Sequence, residues 1–363
     1  MVRSMTPTAA LLSYRLGGTD GVSVEAAKWE GALRELGFST RRIAGEICGP
    51  PRRDDAVLPG FAIHAPDGAA DADQLADALD GADGVVVENI CSLPLNAHAS
   101  YAASTALSRH PGRVVFHHHD LPWQRAAFAG IRGLPPDLPG VLHVVVNDRS
   151  GGELAARGIT AHTIRNTFDF DAPPGDRART RAELVLGDGD LVVLQPTRAI
   201  ARKDVPGGLR FAEQLARLLP DRRVVYWLTG PAEDGYGPEL ARVTEAAALP
   251  VVLGRAASAA DAYAAADVVA FPSKWEGFGN PVIESVIARR SLAARRYPVL
   301  DEILASGLEV FDPDRPAEMA AFLCMPDEAM LERNVELARR ELSLRDLPVR
   351  LEAAFARHGW TAW

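Results

Sequence analysis

Short apolar runs and amphipathic stretches alternate along the first half of the chain. The runs are rich in β-branched residues, which favours strands: TAALLSY, GVVVENI, RVVFHH and VLHVVVN. The stretches between them repeat their apolar positions with the helical period, as in SVEAAKWEGALREL and NAHASYAASTALSRH. This alternation predicts βα units that build a parallel sheet.

The same alternation begins again after TIRNTFDFDAPPGDRART, a turn-rich stretch with consecutive prolines. Strands are then predicted at LVVLQPT, RRVVYWLTG, VVLG and DVVAFPS. We therefore predict an α/β chain with two doubly wound, Rossmann-like domains, 1–170 and 171–343, divided near 168–178. The amphipathic segment 344–363 is predicted to pack back on the N-terminal domain. Doubly wound domains bind ligands at the carboxyl ends of their strands, so the expected site is a cleft between the halves.

Composition excludes several classes of protein. The 363 residues are 47% hydrophobic and 24% charged, as in globular proteins, and no apolar run approaches the about 20 residues that cross a bilayer. With no signal peptide recognisable at the N-terminus, we expect a cytoplasmic protein. The net charge of −9 opposes a broad surface for nucleic acid or anionic lipid. The three cysteines lack the spacing of a disulfide framework or a zinc site.

The stretch KWEGFGNPVIES, residues 274–285, follows the predicted strand DVVAFPS. Asn280 and Pro281 predict an N-cap and a first-turn proline, and the amides of the helix that follows would suit a phosphate. Glu276 and Glu284 could then accept hydrogen bonds from sugar hydroxyls on either side. For an isolated pair of glutamates another interpretation is favoured, in which Glu276 faces solvent and Glu284 is a stabilising acid of the first turn.

Cations and glycines follow two other predicted strands. Arg198 and Lys203 come after LVVLQPT and could neutralise a leaving diphosphate, although such residues are more often solvated when isolated. Gly17 and Gly18 come between the first strand and a helix, where the backbone could approach an anion or form a simple tight turn.

Three consecutive histidines, 117–119, end another predicted strand and precede Asp120. Neighbours on a strand point to alternate faces, so the three cannot all bind one metal ion without a turn, and we predict no metal site. A hydrogen-bonded histidine at a strand end is the alternative to ligand binding. Asp120 either orients an imidazole or caps the next helix.

The segment around the two glutamates resembles the E-x7-E signature of family 4 glycosyltransferases, which are retaining enzymes with the GT-B fold. The matching residues are Pro272, Ser273, Glu276, Gly277, Phe278, Gly279 and Glu284. In that family the first Glu contacts the transferred sugar, the backbone after it the diphosphate, and the second Glu the ribose of the nucleotide. The resemblance implies these roles for Glu276, for Phe278, Gly279 and Asn280, and for Glu284.

A second segment, QPTRAIARKDV, is similar to the G-R-x-x-x-x-K segment of the family, with Thr197 in place of the Gly. The resemblance implies that Arg198 and Lys203 hold the donor diphosphate. With Glu276 and His119 they form the predicted catalytic set. Since two fixed cations can do the work of a divalent ion, we expect neither a metal nor another cofactor.

The N-terminal half supplies further matches. The loop with Gly17 and Gly18 occupies the place where the family caps the donor phosphates. The family commonly has a strand-end His directed at the donor sugar or the acceptor, and this role falls on His119, with His118 as the register alternative. Asn166 matches the Asn of the P-N-G-V-D hinge, although Arg165 and Thr167 replace the flanking Pro and Gly, and a turn Asn is an equal interpretation. Five polar residues are predicted, on weaker grounds, to contact the acceptor: Asp20, Glu88, Asn89, Asn96 and Asp120.

The N-terminal sequence is most similar to a branch of the family that includes mannosylglucosylglycerate synthases and related soluble sugar-transferring enzymes. The stretches that carry this similarity are TDGVSVEAAKWEGALRELG, ENICSLPLN and HHHDLPWQR. After Glu284, however, the family reads A-x-A-x-G-x-P-V, whereas this chain has SVIARRSLAARRYPVL. The arginines there either meet an acidic acceptor or line the surface, and the surface interpretation is favoured. They are Arg289, Arg290, Arg295 and Arg296.

The resemblance implies a transferase that moves a hexose from a nucleotide diphosphate sugar to a small polar acceptor with retention. GDP-mannose is the first candidate for the donor and a UDP-hexose the second, while the oligomeric state stays open. Two other classes share this architecture: sugar-nucleotide epimerases or phosphorylases, and catalytically silent binders of a nucleotide sugar. The joint presence of the candidate cations, glutamates and histidine counts against a silent binder.

Overall fold

The chain forms two units, and it leaves the first unit and later returns to it. The computed structural model describes residues 6–360. Of these, 6–167 and 344–360 belong to the first unit, and Phe168–Ser343 form the second. The ends of the predicted first and last segments, 1–5 and 361–363, lie outside the described residues.

A parallel sheet runs through the first unit, because each apolar run of the first half forms a strand beside its neighbours. The spatial order of its seven described strands is β3-β2-β1-β4-β5-β6-β7. The strands are β1 (Thr8–Leu16), β2 (Ser39–Ile47), β3 (Ala56–Val57), β4 (Gly84–Glu88), β5 (Arg113–His118), β6 (Leu142–Val145) and β7 (Ala161–Thr163).

Helices cover both faces of this sheet, which is why its central strands are apolar on both sides. They are α1 (Gly21–Glu35), α2 (Ala72–Leu79), α3 (Ala97–Ser108) and α4 (Asp148–Ala155). Trp29 and Leu33 of α1 pack with Val86 and Val115 on one face. Residues of α2 and α3, on the other, pack with the strand residues of opposite parity.

The second unit repeats this architecture with five described strands in the order β10-β9-β8-β11-β12. The strands are β8 (Leu191–Gln195), β9 (Val224–Leu228), β10 (Val251–Leu253), β11 (Val268–Phe271) and β12 (Ser291–Ala294). The helices are α5 (Arg177–Glu183), α6 (Val205–Leu218), α7 (Gly237–Glu245), α8 (Ala259–Ala265), α9 (Asn280–Ile287), α10 (Pro298–Leu304), α11 (Pro316–Cys324) and α12 (Glu328–Leu342). None of the helices within residues 6–360 is long and apolar enough to pass through a membrane.

The last helix, α13 (Leu347–Arg357), belongs to the first unit. Its residues Leu351 and Phe355 are buried in the same cluster as Trp29 and Leu33. The apolar face of the amphipathic tail therefore completes the core beside α1.

Strand order fixes where ligands can bind in each unit. In both sheets the chain first builds strands outward on one side and then crosses to the other, between β1 and β4 in the first unit and between β8 and β11 in the second. Doubly wound sheets bind ligands at the carboxyl ends of the strands beside such a crossover. The loops that follow these strands contain the candidate residues.

Candidate active site

The loop between β11 and α9 is held in one conformation by a glycine and a tyrosine. Gly279 has φ 102°, and a Cβ there would lie 2.1 Å from the hydroxyl oxygen of Tyr297. The Tyr297 hydroxyl donates to the carbonyl of Phe278 at 2.9 Å. Any side chain at position 279 would collide with this hydroxyl and meet the left-handed backbone penalty as well. Gly279 is also the N-cap of α9, so the prediction that Asn280 caps the helix is wrong by one residue.

Glu276 lies between two cations from the loop after β8. Its Oε1 accepts from Nζ of Lys203, and its Oε2 accepts from Arg202 Nη1 at 2.6 Å. The two loops are also joined through the backbone, since Lys274 N donates to the carbonyl of Arg202 at 2.9 Å. Because β8 and β11 are neighbours in the sheet, their two loops form one cluster at its carboxyl edge. The interpretation in which Glu276 faces solvent is wrong, since the residue is buried.

This cluster has a formal charge of +1 from two cations and one carboxylate. Burial alone would raise the pKa of Glu276, but Lys203 and Arg202 outweigh it and hold that pKa below its ordinary value. Burial lowers the pKa of Lys203 to about 8, although Glu276 opposes the shift. All three groups are therefore charged at neutral pH. A buried cluster with an excess cation can attract an anionic ligand.

Of the predicted cations, the structure brings Lys203 to Glu276 but not Arg198. Arg198 forms a half-exposed ion pair with Glu233 at 2.5 Å, yet its charge is close enough to lower the pKa of Lys203. Arg202 was missed by the sequence prediction, which followed only the spaced Arg and Lys of the family segment. The signal was its position directly before Lys203.

A buried side-chain amide at the end of β8 holds the loop that follows this strand. This loop contains Arg202 and Lys203 and is here called the cation loop. Gln195, the last residue of β8, donates through Nε2 to Thr197 Oγ1 at 3.1 Å and to the carbonyl of Lys203 at 3.0 Å. Its Oε1 accepts from the hydroxyl of Tyr226 at 2.6 Å. Gln195 is fully buried and was also missed, because a lone Gln at the end of a strand is not distinctive in a sequence.

Glu284 lies on α9 and is held by a tyrosine from α8. Its Oε2 accepts from the hydroxyl of Tyr263 at 2.6 Å. Burial and the nearby Glu284 charge raise the pKa of Tyr263 well above its ordinary value, so the hydroxyl keeps its proton and donates. Glu284 is the fifth residue of α9, and the alternative in which it stabilises the first turn is therefore wrong.

The arginines that follow Glu284 all have partners within the second unit. Arg290 donates to the carbonyls of Tyr263 and Ala264, at 3.0 and 3.1 Å, where α8 ends. The other three pair with carboxylates: Arg289 with Glu332, Arg295 with Asp204 and Arg296 with Asp301. These contacts explain the departure from the family pattern by packing and give no support to an acceptor-binding role.

In the first unit, the glycine loop after β1 packs against the end of β2. Gly17 has φ 73°, and a Cβ there would lie 2.2 Å from the carbonyl oxygen of Cys48. A Cβ on Gly18 would lie 3.0 Å from Oδ2 of Asp20. Asp20 is the N-cap of α1 and accepts from Ser23 N at 3.2 Å. The loop thus has a structural reason for its sequence, and contacts of these residues with a ligand stay a prediction.

The three consecutive histidines alternate between two environments. His117 Nδ1 and His119 Nε2 lie 2.8 and 2.7 Å from the same oxygen, Glu88 Oε2. His118 instead lies within hydrogen-bond distance of Ser92, at 2.5 Å, and of His143, at 3.0 Å. His119 is 8% exposed and His118 only 1%. The geometry therefore favours His119 over His118 as the histidine that a ligand can reach.

The predicted acceptor residues of β4 and β5 mostly serve the protein itself. Glu88 is fully buried, and Asn96 is the buried N-cap of α3. The Asn89 Oδ1 accepts from the amides of His119 and Asp120 at 3.2 and 3.3 Å. These contacts give Glu88, Asn89 and Asn96 a structural role in the first unit, and acceptor binding by them stays a prediction.

Asp120 was predicted either to orient an imidazole or to cap the next helix. It makes no hydrogen bond to an imidazole among the described residues, and the next helical turn is capped by Leu121. The Asp120 Oδ2 accepts from Nη2 of Arg125 at 2.6 Å. Asn166 is buried in the loop after β7, and a ligand contact there stays a prediction.

Glu88, His117 and His119 are also the one group within residues 6–360 whose donor atoms lie close enough together to hold a metal ion. Positions 117 and 119 share a face of the sheet with Glu88, and the prediction from three consecutive histidines did not include this group. However, two nitrogens at 2.7 and 2.8 Å from one oxygen have the spacing of hydrogen bonds. We assign the three as a hydrogen-bonded cluster, and metal independence stays a prediction.

Known proteins with similar sequences indicate the class of enzyme to which this chain is similar. Residues 200–325, which contain the cation loop and both glutamates, match the family model described as glycosyl transferases group 1. The second unit therefore contains a region of the glycosyl transferases group 1 type. The chain is 28% identical to the mannosylglucosylglycerate synthase of Thermotoga maritima, over 92% of this chain and 91% of that protein. The predicted resemblance to this branch is confirmed.

Solved structures confirm the GT-B fold of this chain. The sucrose-phosphate synthase of Thermosynechococcus elongatus superposes with a TM-score of 0.74 at 14% identity, covering 98% of this chain and 100% of the other. The HepE protein of Anabaena, solved in complex with UDP and glucose, gives 0.71 at 16% identity, over 97% and 100%.

Proposed function

We propose that this glycosyltransferase moves a hexose from a nucleotide diphosphate sugar to a small polar acceptor, with retention and without a metal ion. The observation that carries the proposal is the cluster of Arg202, Lys203 and Glu276 at the carboxyl edge of the second sheet. It combines an excess cation with a buried carboxylate and lies beside the start of α9. A diphosphate needs cations, and a sugar needs a fixed hydrogen-bond acceptor nearby.

Each candidate residue of the second unit then has a role in the proposal. Lys203 and Arg202 neutralise the charge that develops on the leaving diphosphate, as a divalent ion would. Glu276 accepts from hydroxyls of the transferred sugar, while the backbone at Phe278–Asn280 holds phosphate oxygens. Glu284, oriented by Tyr263, accepts from the ribose hydroxyls.

The chemical step is a substitution on one face of the sugar. The bond between the anomeric carbon and the phosphate oxygen breaks, and the acceptor oxygen forms a bond to that carbon from the same side. The leaving phosphate takes the acceptor proton. The proposed cluster stabilises this step by electrostatics, since its charges are in place before the reaction begins.

The donor and the acceptor are proposed from the named relative. Mannosylglucosylglycerate contains mannose and glucosylglycerate, so GDP-mannose and a glucosylglycerate are the first candidates. A UDP-hexose is the second donor candidate, which agrees with the UDP bound to HepE.

The test is nucleotide release by the purified protein in EDTA. The donors are GDP-mannose, GDP-glucose, UDP-glucose, UDP-N-acetylglucosamine and ADP-glucose, each with and without glycerate, glucosylglycerate and simple sugars. We expect release from one donor, loss of that release in Glu276→Gln, and an α-linked product by NMR. Glu332→Gln is the matched control, because it also removes a carboxylate paired with an arginine, but on the surface of the same unit. Absence of binding to every donor would contradict the proposal.

A further inference from the structure

One buried carboxylate of the first unit serves two histidines at once. Glu88 and His117 lie opposite each other in the register of β4 and β5, so their side chains share a face of the sheet. His119, two residues further on, returns to that face. Its Nε2 lies 2.7 Å from Glu88 Oε2, and His117 Nδ1 lies 2.8 Å from the same oxygen.

The three side chains differ in exposure. Glu88 is 0% and His117 1% exposed, while His119 keeps 8%. His117 is also fixed by Trp29, whose ring stacks on it at 4.0 Å and 26°. His119 is therefore the member that a substrate can contact, and the other two lie behind it.

We propose that Glu88 is a positioning residue that holds His119 as a fixed, doubly protonated imidazole, ready to donate a hydrogen bond to the substrate. The inference rests on the proposed function for the identity of that substrate. The recipient of the hydrogen bond is an oxygen of the donor sugar or the acceptor. Glu88 itself touches neither.

The geometry of the cluster places one proton on each of the two nitrogens next to Glu88. An ionised carboxylate only accepts, so both nitrogens next to Oε2 must donate. His117 donates from Nδ1 and is neutral, which leaves Nε2 as a bare lone pair. That atom is buried without a hydrogen-bond partner among the described residues, which costs less for a lone pair than for an N–H group.

Charges around His119 favour the second proton. The ionisable groups that face it are Glu25 of α1, Glu88 of β4, His117 and His118 of β5, and Asp120 of the following loop. Burial alone would lower the pKa of His119, but the Glu88 hydrogen bond and charge, with Glu25 and Asp120, outweigh it and raise that pKa. For His117 burial prevails and lowers the pKa. The pair Glu88 and His119 is thus ionic, and His117 completes it without charge.

A neighbouring residue holds the backbone of the same histidine. Asn89 adopts φ 63°, and its Oδ1 accepts from the His119 amide at 3.2 Å. Two consecutive residues at the end of β4 therefore contact His119, one through its ring and one through its backbone. Such convergence fixes both the place and the direction of the imidazole.

The test is an NMR titration of the protein labelled with ¹³C at the histidine Cε1 atoms, in the wild type and in Glu88→Gln. The His119 signal is identified by its loss in His119→Asn. We expect a His119 pKa above 6.5 in the wild type, lowered by about one pH unit or more in Glu88→Gln, since the amide keeps the shape but not the charge. Asp120→Asn is the matched control, which removes a nearby carboxylate that is not bonded to the ring, and a smaller shift is expected. An unchanged His119 pKa in Glu88→Gln would overturn the inference.

Turnover gives the second readout. The fall of kcat at high pH should move to lower pH in Glu88→Gln by the same amount as the NMR pKa, with the donor KM changed less than about threefold. A purely structural role would lower stability without moving this profile. Loss of activity in EDTA with recovery on added Zn²⁺ would overturn the hydrogen-bonded assignment in favour of a metal site. The NMR shift without any sugar transfer would uphold the role of Glu88 towards His119 and contradict only the proposed function.

Discussion

A buried carboxylate lies next to the candidate residues at the carboxyl edge of each sheet, but the two carboxylates have different partners. Glu276 in the second unit lies between Arg202 and Lys203. Glu88 in the first lies between His117 and His119. Both positions follow from the same topology, because each carboxylate ends or follows a strand beside the crossover.

The partners decide what each site can do. The guanidinium of Arg202 keeps its charge throughout, and the ammonium of Lys203 is charged below its pKa of about 8, so the second site offers an excess cation for an anion at neutral pH. Imidazoles change charge near neutral pH, so the first site offers a hydrogen-bond donor whose proton depends on its surroundings. We thus propose that the second unit binds an anion and that the first unit presents a hydrogen-bond donor.

The largest expected effect comes from removing the ammonium of the second site. In Lys203→Ala, Glu276 keeps Arg202 but the cluster loses its excess charge. We expect kcat/KM for the donor to fall by at least about 100-fold, measured as initial rates of nucleotide release. Arg198→Ala should lower the same kcat/KM by about tenfold or less, because the ion pair of Arg198 with Glu233 is half-exposed. Equal losses in the two variants would show that the buried cluster has no special role.

The second prediction concerns stability and belongs to the first unit alone. Burial lowers the pKa of His143 to about 4, so folding favours its neutral form. The stability from this neutral form is complete above pH 6.5 and is lost as the pH falls from 6.5 towards 4, by up to about 3 kcal/mol. Urea unfolding should show a difference in the free energy of unfolding between wild type and His143→Asn. This difference should become smaller as the pH falls over this range. A difference independent of pH would mean that His143 does not titrate on unfolding.

A third prediction sets a pH limit on the second site. Since the pKa of Lys203 is about 8, binding of a nucleoside diphosphate should weaken as the pH rises through 8, by up to about tenfold per pH unit. Calorimetric titration between pH 6 and 10 measures this. The dependence should vanish in Lys203→Met, and its persistence there would assign the titration to another group.

The smallest expected effect is at Glu284. Tyr263→Phe removes the hydroxyl that orients this carboxylate and nothing else. The donor KM should rise about three- to tenfold with kcat nearly unchanged, as for the loss of one hydrogen bond to a charged group. A change confined to kcat would contradict a role of Glu284 in binding the ribose.

The sequence predicted the fold because its signals are local. β-branched runs and helical periods are visible in a single chain, and their alternation indicates two doubly wound domains. The E-x7-E loop was equally readable, since Gly279 and Pro281 limit what the backbone can do. The helix start was missed by one residue, because the N-cap is Gly279. Its close approach to Tyr297, 18 residues away, is not visible in a local pattern.

What the sequence could not show is which side chains pair across strands. Glu88 looked like an acceptor ligand, whereas the register of β4 and β5 places it beside His117. Arg202 was not among the predicted cations, whereas it contacts a carboxylate 74 residues away. Such contacts depend on the register and burial of distant segments, and neither is encoded in local patterns.

The most direct test of the second site is calorimetric binding of GDP, GMP, UDP and UMP in EDTA, with wild type and Lys203→Ala. We expect that one nucleoside diphosphate binds the wild type without metal, at least about tenfold more tightly than its monophosphate, and that Lys203→Ala removes this preference. Equal affinity for diphosphate and monophosphate, or a preference that survives in Lys203→Ala, would contradict the claim that this cluster holds the donor.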